Sequence, residues 1–166
     1  MNGSAAIPVD REQAVASANV LLLETHRSTL LAAARAMVLI ESEAQDLVQT
    51  TFELALRHSA ALRDPAALRS WLLVVEGREA LRVLRRLRRF VSLEAVVVDV
   101  AAPDRRSEDV DVRAALAKLP LRVRTAVVLH HMAGLSVAET AMALGTSPNT
   151  VKTQLRDGLT RLRREL

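Results

Sequence analysis

The chain has 166 residues, half of them apolar and a quarter charged, with a net charge of +4. This is globular composition, too rich in hydrophobic side chains for a disordered tail, and the absence of cysteine excludes disulfides, thiolate metal sites, iron–sulfur clusters and a cysteine nucleophile. Apolar runs such as Trp71 to Val75 fall far short of the roughly 18 residues that a membrane span needs. Residues 1–17 lack the basic start and apolar stretch of a secretory signal, so a cytoplasmic protein with no membrane contact of its own is expected.

Taken in order, the segments all read as helical. Residues 1–17 form an N-terminal tail, and residues 18–40, rich in Ala and Leu, read as one helix. A second helix begins at Ser42, where Ser42 and Gln45 have the spacing of a capping box, and runs to about His58. Its apolar stripe is Ala44, Leu47, Val48, Thr51, Phe52 and Ala55. The opposite face presents Asp46, Gln49, Glu53 and Arg57.

Asp64 and Pro65 suit the N-cap and first position of a third helix, which can run to about Phe90. At 100° per residue, Leu73, Gly77, Ala80, Leu84, Leu87 and Val91 fall on one side. Trp71, Val75, Arg78, Arg82, Arg85, Arg86 and Arg89 fall on the other. The small residues Gly77 and Ala80 would let a neighbouring helix approach closely. The arginine ladder suits phosphate and base stacking, and Trp71 suits base stacking. The alternative is a solvated charged face with Trp71 half-buried against a neighbour.

Residues 93–111 carry two Arg against six acids and contain Pro103. They read as an acidic spacer between two basic blocks, residues 18–92 at +3 and 112–166 at +6. Basic blocks suit a polyanion that the spacer would avoid. Two modules of this size are each marginal alone, so a partner that clamps both is expected.

Residues 112–119 and 120–132 read as helices broken at Pro120, with Gly134 closing the second. Ser136 and Glu139 form a capping box for a short helix over 136–144, closed by Gly145. Ser147 and Pro148 then start a last helix toward Leu166. Ala141 falls where these two helices cross. Val151, Leu155, Leu159, Leu162 and Leu166 form the inner face. Asn149, Lys152, Thr153, Arg156 and Arg163 form the outer one. Arg and Lys match guanine in the major groove and Asn matches adenine, so this helix–turn–helix suits DNA readout.

With these segments in place, the chain resembles the extracytoplasmic-function (ECF) sigma factors, two-domain promoter-specificity subunits of bacterial RNA polymerase. The resemblance is carried by AQDLVQTTF, LRDPAALRSWL and the basic run LRRLRR in residues 20–90, and by GLSVAETAMALGTSPNTVKTQL in residues 112–166. It implies an all-α fold of two small helical domains, sigma region 2 over 18–92 and sigma region 4 over 112–166, joined by the linker 93–111. Asp46, Gln49, Thr50 and Glu53 match the family's surface for the polymerase β′ clamp helices. Trp71, Arg78, Arg82, Arg85 and Arg86 lie where the family contacts the −10 element, and His58–Asp64 match the loop that captures a flipped base. Asn149, Thr150, Lys152, Thr153 and Arg156 lie where it reads the −35 element. The implied partners are core RNA polymerase (its β and β′ subunits), promoter DNA and an anti-sigma factor, with no cofactor and no metal. The family usually has an Arg-Asn pair where this chain has Gly77-Arg78, and an Asp where it has Arg82.

Two other classes are weighed against this. A stand-alone helix–turn–helix activator would bind as a dimer, but no heptad seam is present. An enzyme would need a site, and the adjacent His130 and His131 point about 100° apart on a helix. No HExxH, Walker A or Gly-rich loop occurs.

Overall fold

The computed structural model describes residues 9–58, 63–90 and 107–166. Among the described residues there is no strand. The elements are α1 (Val9–Glu24), α2 (Arg27–Val38), α3 (Glu41–Arg57), α4 (Pro65–Phe90), α5 (Ser107–Ala117), α6 (Leu121–Val127) running into a π turn (Val128–Met132), α7 (Val137–Leu144) and α8 (Pro148–Glu165).

Helix starts and stops follow local chemistry, and several depart from the sequence reading. The single helix expected over 18–40 is two helices, and the first begins at Val9, inside the expected tail. The break is built by Thr25, whose hydroxyl donates to the Leu22 carbonyl at 2.6 Å, and by a tight turn from the His26 amide to the Leu23 carbonyl. Arg27 then forks onto the Glu24 carboxylate across the turn. The Ser42–Gln45 capping box is absent. Helix α3 starts one residue earlier, at Glu41, because Glu41 pairs with Arg35 in the last turn of α2 at 2.6 Å. Gln45 instead donates to the Glu41 carboxylate. The helix expected over 120–132 does not stay α-helical. Its last turn widens to i→i+5 bonding, with the Ala133 amide on the Val128 carbonyl.

Other boundaries agree with expectation. Asp64 Oδ1 accepts from the Ala66 and Ala67 amides at 3.1 and 3.3 Å. Ser136 and Glu139 make both bonds of a capping box, and Ser147 caps α8 through the Thr150 amide. Gly134 and Gly145 have φ of +77° and +59°, the left-handed conformation that glycine adopts without steric cost.

Helices α2, α3 and α4 form the N-terminal module. The six residues of the α3 stripe are all buried, and α2 and α4 pack on them. Only the last turn of α1 joins this core, through Leu23 and the partly covered Leu22, while Val15, Val20 and Leu21 remain exposed. In the C-terminal module α6, α7 and α8 pack together. Arg122 donates to the Leu144 carbonyl at the end of α7, where a cation complements the helix dipole. The end of α5 is tied to the end of α8 by a Lys118–Glu165 ion pair. On α8, Val151 and Leu155 are buried, and Leu159 and Leu162 are half-covered. Leu166, expected on the inner face, is 70% exposed at the helix end. Gly158 belongs to the inner face as well: a Cβ there would meet Val127 Cγ2 at 2.6 Å and Val123 Cγ1 at 3.0 Å.

The two modules are not separate bodies. Helix α4 packs on α7 and α6, α2 packs on the π turn, and one continuous core runs through both. Helix α5 begins at Ser107, inside the expected linker. The linker over 93–106 and residues 59–62 of the expected base-capture loop lie outside the described residues.

Candidate nucleic-acid and polymerase interfaces

Three groups of residues carry the sequence expectation. Asn149, Thr150, Lys152, Thr153 and Arg156 occupy the first turns of α8 and are all exposed. Two constraints hold that face outward. Val151 and Leu155 anchor the opposite side of the helix, and the Ser147 cap fixes its first turn, with the Ser147 and Thr150 hydroxyls 2.9 Å apart. Thr153 returns its hydroxyl to the Asn149 carbonyl at 3.2 Å. Lys152 and Arg156 project from this exposed face, with Arg156 Nε 3.9 Å from the neighbouring Asp157 carboxylate.

The turn that presents α8 is equally constrained. The Ser136 amide, then the Ser136 hydroxyl, hold the Glu139 carboxyl below the usual carboxylate range against opposing burial. Ser70 and Arg69 of α4 add to this from across the module boundary.

The second group lies on α3. Asp46, Gln49, Thr50 and Glu53 are all exposed. They line a groove of about 550 Å³ between α3 and α4, together with Glu43, Glu79, Arg82 and Arg86. Gln49 donates to Glu53 at 3.4 Å. Glu43 and Glu79 are paired with Arg86 and Arg82, so Asp46 and Glu53 leave the groove with a net negative charge that favours a basic partner.

The third group divides. Arg78, Arg82, Arg85, Arg86 and Arg89 are all exposed on α4, and Trp71 is half-buried with its ring centroid 6.0 Å from that of His58. Arg86 and Arg82, however, lean into the α3–α4 groove. Arg86 pairs with Glu43 of α3 at 2.7 Å, and Arg82 with Glu79 at 2.7 Å. Arg78 reaches the other way and donates to the Met142 carbonyl on α7 at 3.5 Å. Arg85 and Arg89 continue the outer line. The ladder read on a wheel is thus two rows, one shared with the groove.

Sequence reasoning missed three features. Glu76 is fully buried in α4, with no hydrogen-bond partner for either oxygen, and burial pushes its carboxyl well above the ordinary range. Arg124 is buried in α6 with its Nε unpartnered, and burial lowers its guanidinium to about 10. The third is Gly158, where α8 meets Val127 and Val123 of α6; Gly77, read as a point of close helix approach, does lie against Leu129 and Ala143. His130 donates Nδ1–H to the Leu135 carbonyl at 2.7 Å, and its ring meets that of His131 edge-on at 4.7 Å. That bond makes His130 a strut of the turn. No cluster of potential metal ligands occurs among the described residues.

An all-helical pair of modules, one a capped helix–turn–helix with an exposed polar face and the other a helical block with an acidic groove and an arginine face, has the form of a DNA-binding transcription factor that also docks on protein. Two family descriptions match: "Sigma-70 region 2" over residues 22–90 and "Sigma-70, region 4" over residues 109–162. The chain belongs to the sigma factors of bacterial RNA polymerase, in the ECF group. It is 33% identical to the ECF RNA polymerase sigma factor SigM of Mycobacterium tuberculosis, over 87% of this chain and 75% of the relative. Two solved structures share the fold. One is the sigma factor RpoE in complex with the anti-sigma factor NepR from Bartonella quintana, with a TM-score of 0.69 and 25% identity over 94% of this chain and 96% of that one. The other is CnrH in complex with the cytosolic domain of CnrY, with a TM-score of 0.61 and 28% identity over 89% and 86%.

The protein directs transcription initiation by binding core RNA polymerase and promoter DNA, and it is not an enzyme. No described helix is long and apolar enough to cross a membrane.

Proposed function

We propose the following division of labour. Residues 18–92 bind core polymerase and −10 DNA, residues 112–166 read the −35 element, and residues 93–111 link them. Asp46, Gln49, Thr50 and Glu53 take the basic side of the polymerase clamp in the α3–α4 groove. Asn149, Thr150, Lys152, Thr153 and Arg156 contact the −35 duplex. Trp71, Arg78 and Arg85 meet the −10 strand, with Arg82 and Arg86 shared between strand and groove.

The observation that carries this reading is the free polar face of α8, held outward by its cap and by Val151 and Leu155. An anti-sigma factor is the further partner, supported by the two similar proteins that are solved with one. The site of action is the cytoplasm.

Energetics assign the melting of the promoter to the whole enzyme. A duplex step holds about 1.4 kcal/mol of stacking, and one base stacked on an aromatic returns about 1–3 kcal/mol. Trp71 can hold one flipped base and cannot open a bubble, so the free chain binds promoters weakly and the holoenzyme binds them tightly. Run-off transcription with core polymerase, with and without this chain, on a library of genomic promoters tests the reading. Transcripts from a discrete promoter set that require the chain are expected. Equal transcription without it would refute the assignment.

A further inference from the structure

The residues proposed to take the polymerase clamp belong to a longer row. Glu43 lies three residues before Asp46 on α3, so Glu43, Asp46, Thr50 and Glu53 follow one helical face at spacings of three or four. Glu43 also lines the α3–α4 groove. It is nevertheless occupied, because Arg86 covers it from α4, with Nη2 donating to Glu43 Oε2 at 2.7 Å. This pair joins the two walls of the groove, whereas the Arg82–Glu79 pair stays within α4. It is also lightly held. A single hydrogen bond makes it, where the Arg35–Glu41 pair between α2 and α3 has three. The Arg86 side chain keeps 57% of its surface in solvent against 21% for Glu43, so the guanidinium stays within reach of a second anion on the outer face of α4.

We propose that Glu43 is a further contact for the polymerase clamp and that Arg86 exchanges it for a DNA phosphate, so that promoter DNA tightens the hold of this chain on polymerase. The proposal rests on the assignment of the groove to the clamp and of the arginine face to the −10 strand. Hydrogen-bonding capacity favours the exchange. A guanidinium takes a phosphate through two parallel N–H donors, one more than Arg86 gives to Glu43. Once Arg86 has turned to a phosphate, Glu43 is an uncompensated carboxylate beside Asp46, and a cation of the clamp restores the lost pairing. The same exchange runs in reverse, since a clamp cation on Glu43 releases Arg86 to the strand, and linkage makes the two effects equal. A part-exposed ion pair is worth about two- to five-fold in an equilibrium constant, which sets the size of the coupling. Arg86 is thus a positioning residue, and it makes the free chain a weaker partner for polymerase than its acidic row would otherwise be.

The test is a double-mutant cycle on the affinity of the labelled full-length chain for core polymerase, read by fluorescence anisotropy. Without DNA, Glu43→Gln should weaken binding and Arg86→Gln should tighten it, each by about two- to five-fold. A gain of affinity is an effect that misfolding cannot produce. In the Glu43→Gln background the gain from Arg86→Gln should disappear, because no carboxylate is left to uncover. Arg88 is exposed on the same helix and has no ion pair among the described residues. Arg88→Gln removes the same charge and should leave the affinity unchanged. Adding a promoter fork with an unpaired −10 strand should tighten wild type on core more than it tightens Glu43→Gln, by about two- to five-fold. Equal gains from Arg86→Gln in both backgrounds, or an equal response of wild type and Glu43→Gln to the fork, overturn the proposal. Changing Asp46 and Gln49 to Lys in the same assay keeps the two levels apart. Normal core binding by that variant refutes the groove assignment itself, whereas loss there with no effect of Glu43→Gln refutes the exchange alone.

Discussion

A carboxyl group with no exposed surface and no partner sits in the middle of α4, at Glu76. A buried polar group without a hydrogen bond costs about 1–3 kcal/mol, and here burial raises the carboxyl so that the folded chain keeps its proton. The sign follows from proton counts. Below about pH 4.5, the ordinary value, both folded and unfolded chains are protonated and the group adds no pH dependence. Above it the unfolded chain ionises while folded Glu76 does not, so stability falls as pH rises toward the folded value. Glu76→Met, which keeps volume and removes the unpartnered titrating carboxyl, should raise stability at pH 7 by about 1–3 kcal/mol. It should also flatten this part of the pH profile in denaturant titrations. A variant with the wild-type slope would show that another group sets it. On the α8 face proposed to read the −35 element, Arg156→Ala should cost about 1–3 kcal/mol and relax preference at one −35 position. Loss spread evenly over all sequences in a binding-site selection would reduce Arg156 to a phosphate contact.

At the scale of elements, two consequences can be measured. Helix α8 lies against α6 at Gly158, with no space for a methyl group. Gly158→Ala should therefore destabilise the chain by about 1–3 kcal/mol, as overpacking does. An unchanged melting temperature would mean that α8 shifts without cost. Changing Asp46 and Gln49 together to Lys should abolish co-purification with core polymerase while leaving helical content intact, because both project from a face that buries nothing. Normal co-purification would move the docking surface elsewhere. These elements were legible because their signals are local. Asp64-Pro65, the Ser136–Glu139 box and Ser147-Pro148 each fix a helix start within one turn, and the α3 stripe repeats at helical spacing. The helix break at Thr25–His26 was not legible, since it depends on a hydroxyl and an ion pair within an Ala- and Leu-rich run. Nor was the start at Glu41, set by a partner on the preceding helix. The π turn leaves no mark in the periodicity of residues 120–132. The exposed polar face of α8 could be read from its own sequence, whereas the division of the arginine ladder depended on where α3 and α7 lie.

For the whole molecule, the described residues of the two modules share one core. Each module is small for independent stability, and mutual burial supplies part of what the expected clamp was meant to provide. Long-range electrostatics should nonetheless follow the outer arginine row. Neutralising Arg85 and Arg89 together should lower the slope of log affinity against log salt for the holoenzyme–promoter complex by about 1–2. An unchanged slope would remove that row from the DNA.

The ion pair between Arg86 and Glu43 ties the arginine face to the acidic groove. A genetic selection for altered promoter choice would therefore return Arg86 alleles whose true defect is competition with rival subunits for the enzyme. Screening each allele for holoenzyme yield before its start sites are mapped would keep those two phenotypes apart.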